Sequence, residues 1–245
     1  MKTTIMFAYS ILAYLIGFVS LLFWILSVSR LIPIISIDRT GGLSFTQAFI
    51  KDLGLVMLFG IQHSVMARKS FKKWISRILP MPIERSTYVL ISGILLAFLV
   101  WQWEPMGGII WIIPEGSLLY YFIYTLFFAG WSILFISTFL INHFDLFGLR
   151  QTYHELLKKS YKPPEFKVKA FYKFVRHPLY LGGIMGIWAT PTMTLTHMCF
   201  AILLTTYFVI GALFEEKDLI LDFGDDYRNY QKKTGMFIPY AKGNK

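Results

Sequence analysis

Long uninterrupted apolar segments limit the possible folds of this 245-residue chain more than any other feature. A transmembrane helix needs roughly 20 consecutive apolar residues to cross the hydrocarbon core of a bilayer. Four segments reach or approach that length, at about 5–29, 49–67, 87–103 and 117–142. We therefore predict an all-α, polytopic transmembrane helix bundle in which these segments are four clear spans.

A further apolar stretch, about 179–214, is too long for one span and is interrupted by Thr190 and Pro191. Proline removes a backbone donor and clashes with the preceding helical turn, so it favours a break. The pattern predicts a helical hairpin that turns near Pro191, followed by a charged tail at 215–245. We expect residues 1–245 to form a single transmembrane domain.

The charges in the loops indicate how the chain is oriented in the membrane. Basic residues crowd the loops 68–86 and 143–178, whereas the loop 104–116 carries Glu104 and Glu115 and no basic residue. Cytoplasmic loops are enriched in Lys and Arg, so the first two loops are predicted to be cytoplasmic and the third external. Both termini are then predicted to face the cytoplasm.

The same basic loops account for the formal net charge of +10. No DNA- or RNA-binding module is visible, so nucleic acid is not an expected partner, and no obligate protein partner is indicated. The only cysteine, Cys199, excludes a disulfide within the chain and two-cysteine metal or redox motifs. No metal site is predicted.

Three tryptophans, Trp101, Trp103 and Trp111, lie near the predicted external boundary. Tryptophan is enriched at the level of the lipid headgroups, where it anchors helices. We interpret all three as membrane anchors.

The segment 175–182 (Val-Arg-His-Pro-Leu-Tyr-Leu-Gly) contains residues suited to ligand binding. Pro178 fits the first turn of a helix, where its missing N–H costs nothing. Arg176 and His177 would then lie at a helix N-terminus, which favours anionic groups such as carboxylates. Tyr180 follows within the first turn of that helix. The alternative interpretation is a basic membrane flank before a helix that begins with proline.

A second polar segment follows the last apolar stretch. It begins with the adjacent carboxylates Glu215 and Glu216 and continues to Tyr227 and Tyr230, which lie one helical turn apart. Adjacent carboxylates are costly if buried and ordinary if solvated. Taken alone, this segment is typical of an interfacial amphipathic helix with an aromatic anchor.

Together the two segments resemble the isoprenylcysteine carboxyl methyltransferase and phospholipid methyltransferase superfamily. That group combines an Arg-His-Pro-x-Tyr-x-Gly element, a helical hairpin, and the pattern Glu-Glu-x-x-Leu-x-x-x-Phe-Gly-x-x-Tyr-x-x-Tyr. This chain matches the first element at 176–182 and the second pattern at 215–230. The order and the spacing of both elements agree.

Three segments of the N-terminal half narrow the resemblance to one branch: 59–68, 84–103 and 142–151. That branch contains the bacterial methanethiol S-methyltransferases, which methylate methanethiol to dimethyl sulfide, and uncharacterised relatives linked to nitrogen-oxide metabolism. The resemblance then extends over about 54–240, nearly the whole chain apart from the first span. It implies a membrane-embedded enzyme that uses S-adenosylmethionine and methylates the sulfur of a small thiol.

The resemblance also implies a site for S-adenosylmethionine at the cytoplasmic face, between the hairpin and the C-terminal helix. A zwitterionic amino acid needs a cation or a helix N-terminus for its carboxylate and an anion for its ammonium. The G-x-G-x-x-G nucleotide loop is absent, so a non-Rossmann site is expected. The expected donor-binding residues are Arg176, His177, Pro178, Leu179, Tyr180, Glu215, Glu216, Tyr227 and Gln151, and the adenine slot is expected among Phe147, Tyr227 and Tyr230.

A thiol reacts as its thiolate, so one side chain must accept the thiol proton. The candidates are His143, Asp145 and His63, together with the Glu215–Glu216 pair. A His143–Asp145 pair would orient the imidazole as a general base. The alternative for His143 is a satisfied interfacial histidine beside a helix cap, and His63 either serves the reaction or hydrogen-bonds inside the bundle.

Two other functions remain open at this point. An isoprenylcysteine carboxyl or phospholipid methyltransferase would need a lipid-sized tunnel that opens to the bilayer. A non-enzymatic haem-binding or carrier protein would use His63, His143 or His177 as axial ligands. A transporter built from inverted repeats has no support, because no internal repeat is visible.

Overall fold

The computed structural model describes residues 2–162 and 166–239. Within these ranges, five helices are long and apolar enough to cross a membrane. The helices in chain order are α1 (Lys2–Ser29), α2 (Phe45–Ala67), α3 (Lys69–Ile75), α4 (Met81–Gln102), α5 (Leu118–Ile141), α6 (His143–Leu146), α7 (Leu149–Leu156), α8 (Pro178–Trp188), α9 (Leu195–Phe223) and α10 (Asp225–Lys233). Two short strands, β1 (Ile109–Ile112) and β2 (Thr192–Thr194), pair with each other. The predicted polytopic helical fold is confirmed, and the chain is an integral membrane protein.

The clear spans of the sequence correspond to α1, α2, α4 and α5. Helix α4 begins before the predicted residue 87, at Met81, directly after Pro80. Proline is compatible with the first turn of a helix, and Pro82 also lies there. Glu84 in the same turn interacts favourably with the positive end of the helix dipole.

The two helices of the predicted hairpin, α8 and α9, differ greatly in length. Helix α8 has 11 residues, so it rises only about 16 Å, roughly half of the hydrocarbon core. Helix α9 has 29 residues, and its length of about 43 Å exceeds the core. The carboxylates Glu215 and Glu216 therefore lie within α9, on its last turns, and do not begin a separate tail.

The chain divides into two compact units. Unit 1 comprises the described residues of Met1–Trp111, Asn142–Pro163 and Thr192–Phe200. Unit 2 comprises those of Ile112–Ile141, Pro164–Pro191 and Ala201–Lys245. The first unit contains His63, His143 and Asp145, and the second contains the two motif segments near His177 and Glu216.

Small residues allow α1 and α4 of unit 1 to approach closely. A methyl group added at Gly93 would meet the Gly17 Cα at 2.8 Å. Nearer the starts of α4 and α1, the Ser86 hydroxyl donates to the Ser10 hydroxyl at 2.7 Å and contacts the Gly148 carbonyl at 3.1 Å. Close packing through glycine and serine is the usual solution in membranes, where apolar burial alone does not bring helices together.

Trp103 contradicts one prediction from the sequence. It is fully buried, and its ring meets the Phe200 ring edge-on at 4.6 Å between centroids. The Arg39 guanidinium donates to the carbonyls of Trp101 and Trp103, and the Glu104 N–H donates to the buried Asp52 carboxylate. These bonds hold the end of α4 in the interior, so the anchor interpretation is wrong for Trp103, whereas Trp101 is exposed.

Glycines also bring α5 and α8 together in unit 2. A methyl group at Gly130 would meet the Gly186 nitrogen at 2.6 Å and the Gly182 oxygen at 2.7 Å. The pair Gly182 and Gly186 is a G-x-x-x-G pattern, which permits backbone contact between membrane helices. This contact fixes the position of α8, whose first residues carry the Arg-His-Pro motif.

Candidate active site

The two motif segments of unit 2 meet at a buried ion-pair cluster, here called the Glu216 cluster (Arg176, His177, Glu216 and Gln231). Arg176 Nε donates to Glu216 Oε1 at 2.6 Å, and His177 Nε2 lies 3.0 Å from the same oxygen. Gln231 Nε2 donates to Glu216 Oε2 at 2.8 Å. The Glu216 carboxylate therefore has three protein partners, which compensates the cost of burying its charge.

The backbone around the cluster is held by a short parallel pairing between Val175 and Gly235. The Arg176 N–H donates to the Gly235 carbonyl at 2.8 Å, and the His177 N–H donates to the Met236 carbonyl at 3.1 Å. Pro178 begins α8 directly afterwards. These bonds place the two motif side chains at the N-terminus of α8, as the sequence predicts.

Arg176 is committed to protein groups on several sides. Besides Glu216, its Nη1 donates to the Thr234 carbonyl at 2.5 Å and to the Gln231 carbonyl at 3.3 Å. These bonds connect the end of α10 to the start of α8, so the Arg176 guanidinium stabilises the position of α10. Its direct role toward a ligand carboxylate stays a prediction.

Glu215 differs from its neighbour Glu216 in its surroundings. The Tyr180 hydroxyl donates to Glu215 Oε2 at 2.7 Å, and 45% of the Glu215 side chain is exposed, compared with 9% for Glu216. The Tyr180 ring stacks on His177, with centroids 5.4 Å apart, and on Phe208, with centroids 5.5 Å apart. Glu215 is therefore the more accessible carboxylate of the pair, and its orientation is set by a tyrosine.

Tyr227 and Tyr230 are both buried on α10. Their rings pack against Phe166 at 5.8 and 5.7 Å, and the Tyr230 hydroxyl donates to the Tyr172 carbonyl at 2.5 Å. Burial raises the pKa of Tyr227 above its usual value and that of Tyr230 to about 12, so both phenols stay protonated. The interpretation of these tyrosines as interfacial anchors is wrong.

The Tyr227 hydroxyl has no hydrogen-bond partner among residues 2–162 and 166–239. Its side chain is 1% exposed. Buried hydroxyl groups are nearly always bonded, so an unsatisfied one indicates a partner of another kind, such as water or a ligand.

The other donor-site candidates occupy different surroundings. Pro178 is buried and Leu179 is partly buried at the start of α8. Gln151 belongs to unit 1, where its Nε2 donates to the Asp145 carbonyl at 3.1 Å and its side-chain oxygen is buried without a partner in the described part of the chain. The part of Gln151 in donor binding stays a prediction.

His143 lies in an aromatic enclosure in unit 1. Its Nε2 is 3.0 Å from the Tyr14 hydroxyl, on the first span. Its ring lies 4.7 Å from the Phe147 ring and 5.4 Å from the Phe144 ring. The side chain is 3% exposed, and this burial lowers the pKa of His143 below its usual value. The imidazole is therefore neutral at physiological pH and able to accept a proton.

Asp145 is held by groups other than the imidazole of the predicted pair. The Tyr161 hydroxyl donates to Asp145 Oδ1 at 2.9 Å, and Arg150 Nη1 lies 3.7 Å from the same oxygen. Burial, together with the bond and the charge of Asp145, raises the pKa of Tyr161 to about 12. The partner of the His143 imidazole is Tyr14, not Asp145. This partner could not be predicted from a local sequence pattern, because 129 residues separate Tyr14 from His143.

His63 forms a second histidine–tyrosine contact in unit 1. Its Nε2 is 2.6 Å from the Tyr88 hydroxyl, and the Arg85 guanidinium lies over the Tyr88 ring at 4.6 Å. This contact agrees with the alternative prediction that His63 forms a hydrogen bond inside the helix bundle. A role of His63 in the reaction stays a prediction. No group of three or more metal-ligating side chains occurs in the part of the chain that the structure describes.

Comparison with known proteins gives consistent relatives. Methanethiol S-methyltransferase 1 of Bradyrhizobium diazoefficiens is 46% identical over 238 residues, covering 97% of this chain and 83% of the relative. Methanethiol S-methyltransferase of Mycobacterium tuberculosis is 40% identical over 242 residues, covering 98% of both chains. Nurim of Bos taurus is 28% identical over 177 residues, covering 69% of this chain and 66% of the relative. No protein-family profile matches the chain, and no solved structure matches it.

Proposed function

Because the chain belongs to the methanethiol S-methyltransferase family, we propose that it transfers a methyl group from S-adenosylmethionine to the sulfur of methanethiol, releasing dimethyl sulfide. The observation that carries this proposal is the identity of 46% over 97% of the chain to a relative of that name. The predicted branch of the superfamily is thereby confirmed. The chain is an S-methyltransferase with a thiol acceptor.

The unsatisfied hydroxyl of Tyr227 supports unit 2 as the binding site for S-adenosylmethionine, since it leaves one buried polar atom for a ligand. Glu215 is the accessible carboxylate and suits the ammonium of the donor. The first N–H groups of α8, beginning after His177, lack partners within the helix and suit the donor carboxylate. The residues of unit 2 thus match the chemistry of a cationic, zwitterionic ligand.

Glu216 has another task in this proposal. Its carboxylate is already bonded to Arg176, His177 and Gln231. It therefore acts by holding the start of α8 and the helix α10 in one arrangement. Glu216 is a positioning residue for the donor site, and Glu215 contacts the donor.

When bound, S-adenosylmethionine would supply an electrophilic methyl group: the thiolate sulfur would bond to the methyl carbon as the bond between that carbon and the sulfonium sulfur breaks, and S-adenosylhomocysteine would leave. The protein contributes the proton acceptor and the exclusion of water. A buried neutral histidine suits the first task, and His143 is our first choice, with Asp145 and His63 as the other candidates. Small apolar thiols partition into a bilayer, so an enzyme inside the membrane collects them.

The position in the cell follows from the relatives and the charges. The apolar helices and the bacterial relatives support a location in a bacterial inner membrane. The basic loops support a cytoplasmic location for both termini. The proposed donor site would then open toward the compartment that contains soluble S-adenosylmethionine.

The test is an assay of the purified protein in nanodiscs with labelled S-adenosylmethionine. We expect labelled dimethyl sulfide in the headspace from methanethiol, and little product from a prenylcysteine or from phospholipid.

His177→Ala should weaken donor binding about 30-fold or more, as loss of one partner of a buried charged contact costs about 2–5 kcal/mol. The matched control is His154→Ala, because His154 lies on α7 of unit 1, where its Nδ1 bonds the nearby Ser160 carbonyl and its ring contacts the Tyr161 ring.

Two outcomes would contradict the proposal. Methylation of a prenylcysteine or of phospholipid without dimethyl sulfide would assign the chain to the lipid-type alternative. A Soret band in the absorption spectrum of the purified protein, with no donor binding, would favour the haem-binding alternative.

A further inference from the structure

The first span contributes a side chain to the surroundings of the proposed base. The Tyr14 hydroxyl is 3.0 Å from His143 Nε2, and the two rings are nearly perpendicular at 80°. Tyr14 is partly buried, whereas His143 is 3% exposed. The phenol oxygen is therefore within hydrogen-bond distance of Nε2, the ring nitrogen through which His143 could accept a proton.

Aromatic rings surround this tyrosine–histidine pair. The Phe147 ring lies 5.5 Å from the Tyr14 ring, and the Phe18 ring stacks on Tyr14 at 5.9 Å. Phe144 meets His143 edge-on. Sulfur makes favourable contacts with aromatic rings, and such surroundings provide few competing polar groups for a small thiol.

Three charged groups on or beside neighbouring elements, Arg85, Asp145 and Arg150, have partners outside the tyrosine–histidine pair. On α4, Arg85 Nε donates to the Leu146 carbonyl at 2.7 Å. Beside α6, Asp145 is held by Tyr161 and Arg150. Burial lowers the pKa of His143, so a proton that arrives at Nε2 is readily released again.

We propose that Tyr14 is a further catalytic residue, which relays the proton of the acceptor thiol to His143. The S–H bond breaks, and its electron pair stays on the sulfur. The proton joins the Tyr14 oxygen as the Tyr14 O–H proton moves to His143 Nε2. Tyr14 ends neutral, and the products of the step are a thiolate and an imidazolium. This inference rests on the proposed thiol methylation with His143 as base.

The test compares Tyr14→Phe with Tyr9→Phe. Tyr9 lies on the same helix, is also partly buried, and its hydroxyl is 2.9 Å from the Thr87 hydroxyl, so its removal costs a similar hydrogen bond. We expect Tyr14→Phe to lower kcat for methanethiol by about 100-fold, at the lower end of general acid–base contributions. Donor affinity should be unchanged, and Tyr9→Phe should resemble the wild type.

The pH profile separates a relay from a structural role. The wild-type rate should stop rising with pH once His143 is neutral. The residual rate of Tyr14→Phe should continue to rise up to the pKa of the free thiol, because only thiolate formed in solution can react. Hydrogen sulfide is largely ionised to hydrosulfide in mildly alkaline buffer, so Tyr14→Phe should lose much less activity toward it than toward methanethiol.

The inference is overturned if Tyr14→Phe keeps the wild-type kcat and pH profile. It is also overturned if Tyr14→Phe loses equal fractions of its activity toward hydrosulfide and toward methanethiol. Equal losses in Tyr14→Phe and Tyr9→Phe would likewise reduce Tyr14 to a structural residue. A failure of the proposed function looks different, since the wild type itself would then make no dimethyl sulfide.

Discussion

The two units surround their central histidines in opposite ways. In unit 2, His177 is part of a cluster of charged and amide groups that converge on Glu216. In unit 1, His143 is enclosed by aromatic rings, and a phenol oxygen lies within hydrogen-bond distance of its Nε2. The first arrangement is built from charged groups and suits a charged ligand, whereas the burial of His143 penalises charge and suits a neutral base.

Under the proposed function, this contrast matches the different needs of the two substrates. A zwitterionic sulfonium donor needs fixed charges and hydrogen bonds. A small apolar thiol needs weakly polar surroundings and a base that is neutral at the working pH. The comparison can be tested by damaging each arrangement separately.

The largest effect is expected from Glu216→Ala. Removing this carboxylate leaves the buried Arg176 guanidinium without its charge partner, which typically costs about 3–5 kcal/mol. We expect a lower thermal unfolding temperature in detergent and loss of donor binding by calorimetry.

Asp225→Ala is the control for Glu216→Ala. Asp225 pairs with Arg228 on α10, but both side chains are largely exposed, at 86% and 56%. Exposed pairs contribute little, so this variant should keep its unfolding temperature and donor affinity. Equal behaviour of the two variants would contradict the structural role that we assign to the Glu216 cluster.

An intermediate effect is expected from pH acting on His143. Its pKa in the folded protein is below the ordinary value of 6.5. The unfolded chain therefore binds the proton more readily, so the contribution of His143 is complete above that value and is lost as the pH falls through it. Wild-type stability should decrease toward acidic pH.

His143→Gln tests this contribution because it removes the titrating group and retains hydrogen-bonding capacity. The difference in unfolding temperature between wild type and variant should shrink on acidification. If the difference in unfolding temperature did not change with pH, the His143 pKa would not be lowered by folding. That result would contradict the assignment of His143 to surroundings that penalise charge.

The smallest effect is expected from Tyr227→Phe. The hydroxyl is buried without a partner in the described residues, so its loss should leave the unfolding temperature unchanged or slightly higher. If the hydroxyl bonds the donor, affinity should fall about 2- to 10-fold, the value of a typical hydrogen bond. Unchanged affinity in calorimetry would place this hydroxyl outside the donor site.

The sequence by itself determined the membrane spans, the break at Pro191 and three of the four residues of the Glu216 cluster, whereas Gln231 emerged only from the structure. Span prediction succeeds because bilayer thickness sets the length of an apolar helix. The motif residues Arg176, His177 and Glu216 were recognisable because each lies in a short segment with a characteristic order.

Only the tertiary structure decided which distant side chains meet. Tyr14 contacts His143 although 129 residues separate them, and Trp103 packs in the interior against Phe200. Small residues such as Gly17 and Gly93 set how closely α1 and α4 approach. An apolar span has little amphipathic pattern, so its sequence does not reveal which face is turned inward. The rotation of each helix, and with it the partner of each polar group, follows from packing between residues far apart in the chain.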